Sequence, residues 1–181
     1  MQAPASILRN LKIGTDICNV QRIYDLLTQN NGRLGRRFAE KILVAQERND
    51  ERAKVRLSVL GDAKGLMCAG WDSPGTRSNA SAKDSSLSLT RTQASEMMRT
   101  AEFLAGRFAA KEAAIKAHHD RRLTFQDIWI RKRPTAPGRS GAPEAVIRGE
   151  DGSWEGGEAR VVPVSVSHDG GVAQAVCMAE E

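Results

Sequence analysis

EFLAGRFAAKEAAIKA, residues 102–117, decides how this chain of 181 residues is read. It reads as one helix, expected to start near Met97 and to end at His118-His119-Asp120. Leu104, Phe108 and Ile115 supply its apolar stripe, with small alanines between them,. The row Leu104, Phe108, Glu112, Lys116 passes from apolar into charged residues. Glu112 and Lys116 stand one turn apart, the spacing of an ordinary surface ion pair contributing only about 0.3–0.5 kcal/mol,. A carboxylate and an ammonium on one face can also hold a metal ion and a phosphate together. Ala109, Ala110, Ala113 and Ala114 leave helix backbone uncovered, so another chain segment or a ligand can approach closely.

Working outward, residues 11–17 (LKIGTDI) form a short strand ending in an acid, and Val20, Ile23 and Leu27 then fall at helical spacing,. Asn30-Asn31-Gly32 is a stop signal; Leu34, Phe38 and Ile42 stripe a second helical stretch running to about Glu47,. Residues 48–60 extend that stretch, and from Gly61 to about Ser95 Gly, Ser, Asp, Asn and Thr dominate. We therefore expect a flexible, irregular insertion at about 49–96 within a single domain spanning 1–181,. After the signature helix, 125–131 and 144–148 read as strands around a Pro- and Gly-rich loop,. Val162, Val164 and Val166 alternate with Pro163, Ser165 and Ser167, Asp169-Gly170-Gly171 turns, and 172–178 return,. Pro163 suggests an edge strand or the first residues of a strand,. The expected class is α+β, a mainly antiparallel sheet packed against helices.

Lys and Arg number 27 against 22 Asp and Glu, so the chain suits an anionic partner: nucleic acid, membrane surface, phosphorylated ligand or acidic protein,. Cys18, Cys68 and Cys177 are scattered without metal or redox spacing, which fits a reducing compartment,. No apolar run approaches the length of a membrane span,. The segment before the first strand carries Arg9 and no acid, too little for a clear targeting segment,.

Four further residues are chemical candidates. Asp16, at a strand end behind Gly14, suits a hard cation, or serves as a helix cap or turn residue,. Gly14 permits close backbone approach,. By strand alternation His168 shares the valine face near the hairpin turn, either as an ordinary turn histidine or as a ligand contact,. Ser167 and the glycine turn offer donors for phosphate oxygens, although serine before a turn is common,. His118 and His119 sit where a cation suits a helix end, and the structural reading is kept for both,.

Three segments together resemble the holo-acyl-carrier-protein synthases, the short class of 4′-phosphopantetheinyl transferases. They are Ile13-Gly14-Thr15-Asp16-Ile17 with Arg22-Ile23 following, the FLAGRFAAKEA signature with its later Lys116-Ala117, and Ser165-Val166-Ser167-His168-Asp169. Arg37-Phe38, Glu47 and 125–128 (FQDI) add to the likeness, which covers roughly 11–48 and 97–179. The long insertion looks more like fungal members than the compact bacterial form. His118-His119 replaces the family's usual glycine after the helix.

The resemblance implies transfer of 4′-phosphopantetheine from coenzyme A to a serine of apo acyl carrier protein, releasing 3′,5′-ADP. It implies Mg²⁺ on Asp16 and Glu112, with Lys116 on the phosphate and stabilising the leaving group. Glu112, directly or through water, is the expected base. Ser167 and His168 are expected on coenzyme A phosphates, with Lys111 as a further contact, and Arg22 on the acidic carrier, aided by Arg36 and Arg37. It also implies a homotrimer with sites between subunits, and a mitochondrial or cytoplasmic location. Two rivals stand beside this reading: a degenerate member that binds carrier or coenzyme A without transfer, and a basic nucleic-acid-binding module. The second is disfavoured by the scarcity of aromatics for stacking,.

Overall fold

The structure, a computed structural model, describes residues 11–65, 91–136 and 138–180. Strand β1 (Leu11–Asn19) runs directly into helix α1 (Val20–Thr28), because the Asn19 side chain accepts from the Arg22 backbone N–H and caps the first turn,. Val20, Ile23 and Leu27 are buried, as their spacing requires. The stop at Asn30-Asn31-Gly32 is a tight turn in which Gly32 takes a left-handed φ of 72° before α2 (Arg33–Ile42),. In α2 the buried row is Gly35, Ala39 and Ile42, while Leu34 and Phe38 flank it. A short α3 (Ala45–Asn49) and a longer α4 (Glu51–Gly65) follow. Helix α5 is Arg91–Ala117, longer toward its start than the apolar stripe indicated. Residues 51–60 are helical, as expected of the extension past Glu47, and 61–65 and 91–95 of the expected irregular stretch are helical too; the expectation for 66–90 lies outside the described residues.

After α5 come β2 (Ile128–Lys132), β3 (Pro143–Ile147), β4 (Arg160–Asp169) and β5 (Val172–Glu180). They join β1 in one sheet of order β1-β5-β4-β3-β2, every neighbour antiparallel. The α+β expectation holds. Asp169 pairs with Val172 around Gly170 and Gly171, both at positive φ, as a two-residue hairpin turn demands,. Of the two expectations for Pro163, the edge strand fails, because β4 lies inside the sheet, and the place among the first residues of a strand holds. The β4–β5 ladder starts only at Val164, so the missing proline N–H falls at the ladder's end,.

One face of the sheet carries α5. Ala173, Ala175, Cys177 and Ala179 of β5 point at it, against Ala105, Ala109, Ala113 and Ala117 of the helix. Small side chains on both surfaces bring the backbones close. A Cβ on Gly14 would lie 1.9 Å from the Ala113 carbonyl oxygen, so only glycine fits where α5 crosses β1. The bare alanine surface read from the sequence is covered by the chain's own sheet.

Candidate functional site

Gly14, Asp16 and Cys18 share the α5-facing side of β1,. The close crossing at Gly14 sets Asp16 beside the last turns of α5. There the Lys116 Nζ donates to Asp16 Oδ1 at 2.7 Å and to the Thr15 carbonyl at 3.1 Å. Lys116 therefore pairs across to β1, where the helix spacing alone suggested a bond to Glu112. The hydrogen bond to Asp16, with added charge from Asp16 and Glu112, holds the Lys116 ammonium above the usual lysine pKa. Asp16 Oδ2 is buried without a hydrogen-bond partner. A buried carboxylate oxygen left unmatched is costly, which marks it as waiting for a donor or a cation. Among the described residues no three His, Cys, Asp or Glu side chains converge into a metal cage. The set Asp16 and Glu112 still fits Mg²⁺, which keeps several waters and takes one or two carboxylates plus phosphate oxygens.

Arg22 stands on the same side. Its guanidinium lies over the Phe108 ring, 5.4 Å from the centroid, one turn before Glu112. Phe108 packs in turn on Phe38 of α2 and on Phe125. The structure thus gathers Asp16, Glu112, Lys116 and Arg22 around the C-terminal half of α5.

His168 is elsewhere. It faces α5 as the strand alternation predicted, but against its earlier turns: the Glu102 carbonyl accepts from Nε2 at 3.0 Å, and a Cβ on Gly106 would press on the ring. Glu102 and Glu112 are separated by roughly 15 Å of helix at 1.5 Å per residue. Ser167 points to the opposite face of the sheet, in register with Gln174 and Ile17,. Within one chain neither joins the Asp16 cluster, nor do the two adjoin one side.

Lys111 corrects an expectation. Its side chain is 0% exposed, and its three ammonium protons go to the Ile42 carbonyl at 2.5 Å, Glu47 Oε2 at 2.5 Å and the Phe125 carbonyl at 3.1 Å. Burial pushes its pKa down to about 8, with Glu47 pulling it up. No donor remains for a phosphate, so Lys111 is not a coenzyme A contact. His118 keeps its structural reading: it is buried, with Nδ1 2.7 Å from the Ala114 carbonyl in the last turn of α5.

The sequence reading missed a basic cleft of about 1030 Å³ on the other flank of α5. Arg52, Arg56, Arg107, Arg131, Arg133 and Arg139 line it, with Phe103 and Trp129 as aromatic walls. Arg107 rests over Phe103 at 5.1 Å, and its buried Nε has no hydrogen-bond partner; Glu47 Oε1 stands 3.6 Å away. The signal was present in Arg131-Lys132-Arg133 and in the arginine of the FLAGR motif. Only the fold puts them on one wall.

A chain with this arrangement has close relatives in sequence. It is 33% identical over 171 residues to the mitochondrial 4′-phosphopantetheinyl transferase B of Aspergillus fumigatus, covering 93% of each chain. The chain belongs to the 4′-phosphopantetheinyl transferases of the holo-acyl-carrier-protein synthase family. A holo-[acyl-carrier-protein] synthase of Cupriavidus taiwanensis is 32% identical over 171 residues, 93% of this chain and 89% of the relative. Among solved structures, the holo-(acyl-carrier-protein) synthase of Bacillus anthracis, in complex with CoA (3′,5′-ADP), matches with a TM-score of 0.50 at 26% identity, covering 94% of this chain and 96% of that one. No family model matches the chain.

Proposed function

We propose that the chain moves 4′-phosphopantetheine from coenzyme A to a serine hydroxyl of apo acyl carrier protein. The observation that carries this is Asp16 Oδ2, buried and unpartnered beside Lys116 and Glu112, in a chain one third identical to a named transferase. The serine oxygen forms a bond to the phosphorus bearing the pantetheine arm. The bond from that phosphorus to the bridging oxygen breaks, and 3′,5′-ADP leaves with the electron pair. Glu112, directly or through water, is the candidate base for the serine proton. Lys116, half exposed and raised in pKa, stays charged and neutralises the departing phosphate,. Mg²⁺, held on Asp16 and Glu112, would supply further charge neutralisation on the pyrophosphate oxygens.

The basic cleft with its aromatic walls suits the adenosine bisphosphate end of coenzyme A, the uncommitted Arg107 Nε being one donor for it. His168 and Ser167 are expected on phosphate oxygens supplied across a subunit boundary. Two features support a homotrimer with shared sites. His168 lies away from Asp16 within one chain, and the outer sheet face exposes Ile13 (60%), Ile17 (68%), Val161 (52%), Val172 and Met178,. Arg22, exposed at the start of α1, would meet the acidic carrier,. A mitochondrial carrier fits the name of the fungal relative, and a cytoplasmic one fits the bacterial synthase.

Intact-protein mass spectrometry of apo carrier incubated with the chain and coenzyme A, with Mg²⁺ and with EDTA, tests the reading. A Mg²⁺-dependent gain of one phosphopantetheine is expected. No gain with any of several carriers, from protein that binds coenzyme A, would leave only a binding function.

A further inference from the structure

Glu47 and Lys111 form an ion pair sealed from solvent, 2% and 0% exposed as residues. Every polar atom in it is directed. Glu47 Oε2 accepts from Lys111 and from the Val44 backbone N–H at 3.0 Å, and Oε1 faces the Ile130 N–H at 3.4 Å. Lys111 itself reaches the last carbonyl of α2, the carboxylate of α3 and the carbonyl of Phe125 ahead of β2. Gln126 holds the neighbouring end of α2, donating toward the carbonyls of Glu40, Lys41 and Leu43. One ammonium on α5 thereby ties down the end of α2 and the entry to β2.

Such a pair is a poor source of stability. Desolvating two ions costs about what their attraction returns, and an apolar pair of equal volume often fills a core as well. What three directed bonds supply and apolar packing does not is a fixed rotation. Lys111 immediately precedes Glu112, and consecutive helix side chains diverge by about 100°. Pinning Lys111 toward α2 aims Glu112 toward Asp16. The same pin holds α2, and α2 holds α1: Gly35 lies so close to Leu27 that an added Cβ would sit 2.7 Å from its side chain. Arg22 of α1 is therefore placed relative to Glu112 by the same joint, its guanidinium over Phe108, whose ring meets Phe38 of α2 at 5.9 Å.

We infer that the Glu47–Lys111 pair is a positioning element for the transfer: it sets Glu112, on the metal side of α5, against Arg22, on the carrier side. This rests on the transferase reading above. Loss of the joint would leave coenzyme A and carrier able to bind, but with the serine and the phosphorus out of line. A misplacement of about 1 Å costs on the order of 100-fold in rate.

The test compares the unchanged protein, the double variant Glu47→Leu/Lys111→Met and the single variant Glu47→Gln. Melting temperature, calorimetric affinity of the metal-free proteins for coenzyme A and for apo carrier, and kcat with both KM values are measured. The double variant is expected to fold, to bind apo carrier within about 3-fold of the unchanged protein, and to lose about 100-fold in kcat at saturating coenzyme A. Its coenzyme A affinity is read separately, because Glu47 stands 3.6 Å from Arg107 in the basic cleft. A folded double variant with full kcat, or one whose carrier affinity falls as far as its kcat, overturns the inference. Should the double variant not fold, Glu47→Gln decides. It keeps the shape and accepts from Lys111 and Val44, but it sets an amide NH2 against the Ile130 N–H that Oε1 accepts from and removes the counter-charge of Lys111,. The joint loosens, and a drop of about 10-fold in kcat alone is expected. Unchanged kcat in that variant overturns the inference as well. Failure of the unchanged protein to transfer overturns the transferase reading first, and this inference with it.

Discussion

Helix α5 carries two lysines, each paired to a carboxylate from another element, and the two pairs could hardly differ more. Lys116 meets Asp16 at the surface, with the lysine side chain half exposed and one oxygen of the aspartate left unmatched. Lys111 meets Glu47 where neither has access to solvent and every ammonium proton is already taken. The open pair has coordination and charge to spare, so it can do chemistry. The closed pair has none, so it can only hold shape. The residue type is the same and both lie on α5 near Glu112, Lys111 just before it and Lys116 one turn after. Helix rotation turns one inward and the other outward, and burial separates their roles,.

The largest effect that would sharpen the contrast is on the open side. Glu112→Gln should abolish transfer, by at least about 1000-fold, while melting temperature and coenzyme A binding stay near those of the unchanged protein. Retained activity removes Glu112 from the site. The next is a stability contrast between the lysines. Lys111→Met alone leaves the buried Glu47 with only Arg107, 3.6 Å from Oε1, as counter-ion and should cost about 3 kcal/mol by denaturant unfolding,. Lys116→Met removes an exposed pair and should cost less than about 1 kcal/mol, although it removes activity. Equal losses in the two variants would break the distinction.

Gly14→Ala probes what brings the open pair together. Its Cβ would meet the Ala113 carbonyl at 1.9 Å, an atom that cannot move without the helix. A loss of at least about 2 kcal/mol is expected, with displacement of Asp16 from Lys116 visible as lost transfer. Smaller still, Arg22→Ala should weaken carrier binding about 10-fold, chiefly at low salt, and leave coenzyme A binding alone. Losses of equal size for both ligands would make Arg22 structural through its contact with Phe108.

The smallest effect concerns the closed pair and pH. Burial holds Lys111 down to about 8 in the folded chain, below the roughly 10.4 of an unfolded lysine,. Between these values the unfolded chain binds the extra proton, so on this residue's account stability rises with pH, and below the folded value the cost of charging is fully present. The stability of the unchanged protein relative to Glu47→Leu/Lys111→Met should therefore grow from pH 8 to pH 10 in denaturant unfolding. A flat difference would mean that Lys111 titrates as an ordinary lysine.

Much of this was legible beforehand because it depends on local periodicity. Val20, Ile23 and Leu27 announced α1, the alternating valines and Asp169-Gly170-Gly171 announced the hairpin, and the alanines with Gly14 announced a close crossing. Glu112 and Lys116 were singled out by the helix pattern and Asp16 by its strand end, while Arg22 came from the family resemblance. In the structure Lys116 pairs with Asp16, and Arg22 lies over Phe108, one turn before Glu112. The failures share a cause, since each turned on what lies beside a residue from far along the chain. The edge alternative for Pro163 failed because its neighbours β3 and β5 are fixed by strand order, which no local pattern shows. Lys111 was read as a phosphate contact because Ile42, Glu47 and Phe125, distant in sequence, are what fill its protons. The cleft arginines belong to α4, α5 and the β2–β3 hairpin and carry no spacing in common. Sequence by itself determined the elements, the class of fold and the residues able to bear charge, because these follow from backbone geometry and side-chain chemistry within a few residues. Tertiary structure alone decided which charges are solvated, which are matched and which are left over, because desolvation and hydrogen-bond direction are set by neighbours that only folding brings into reach.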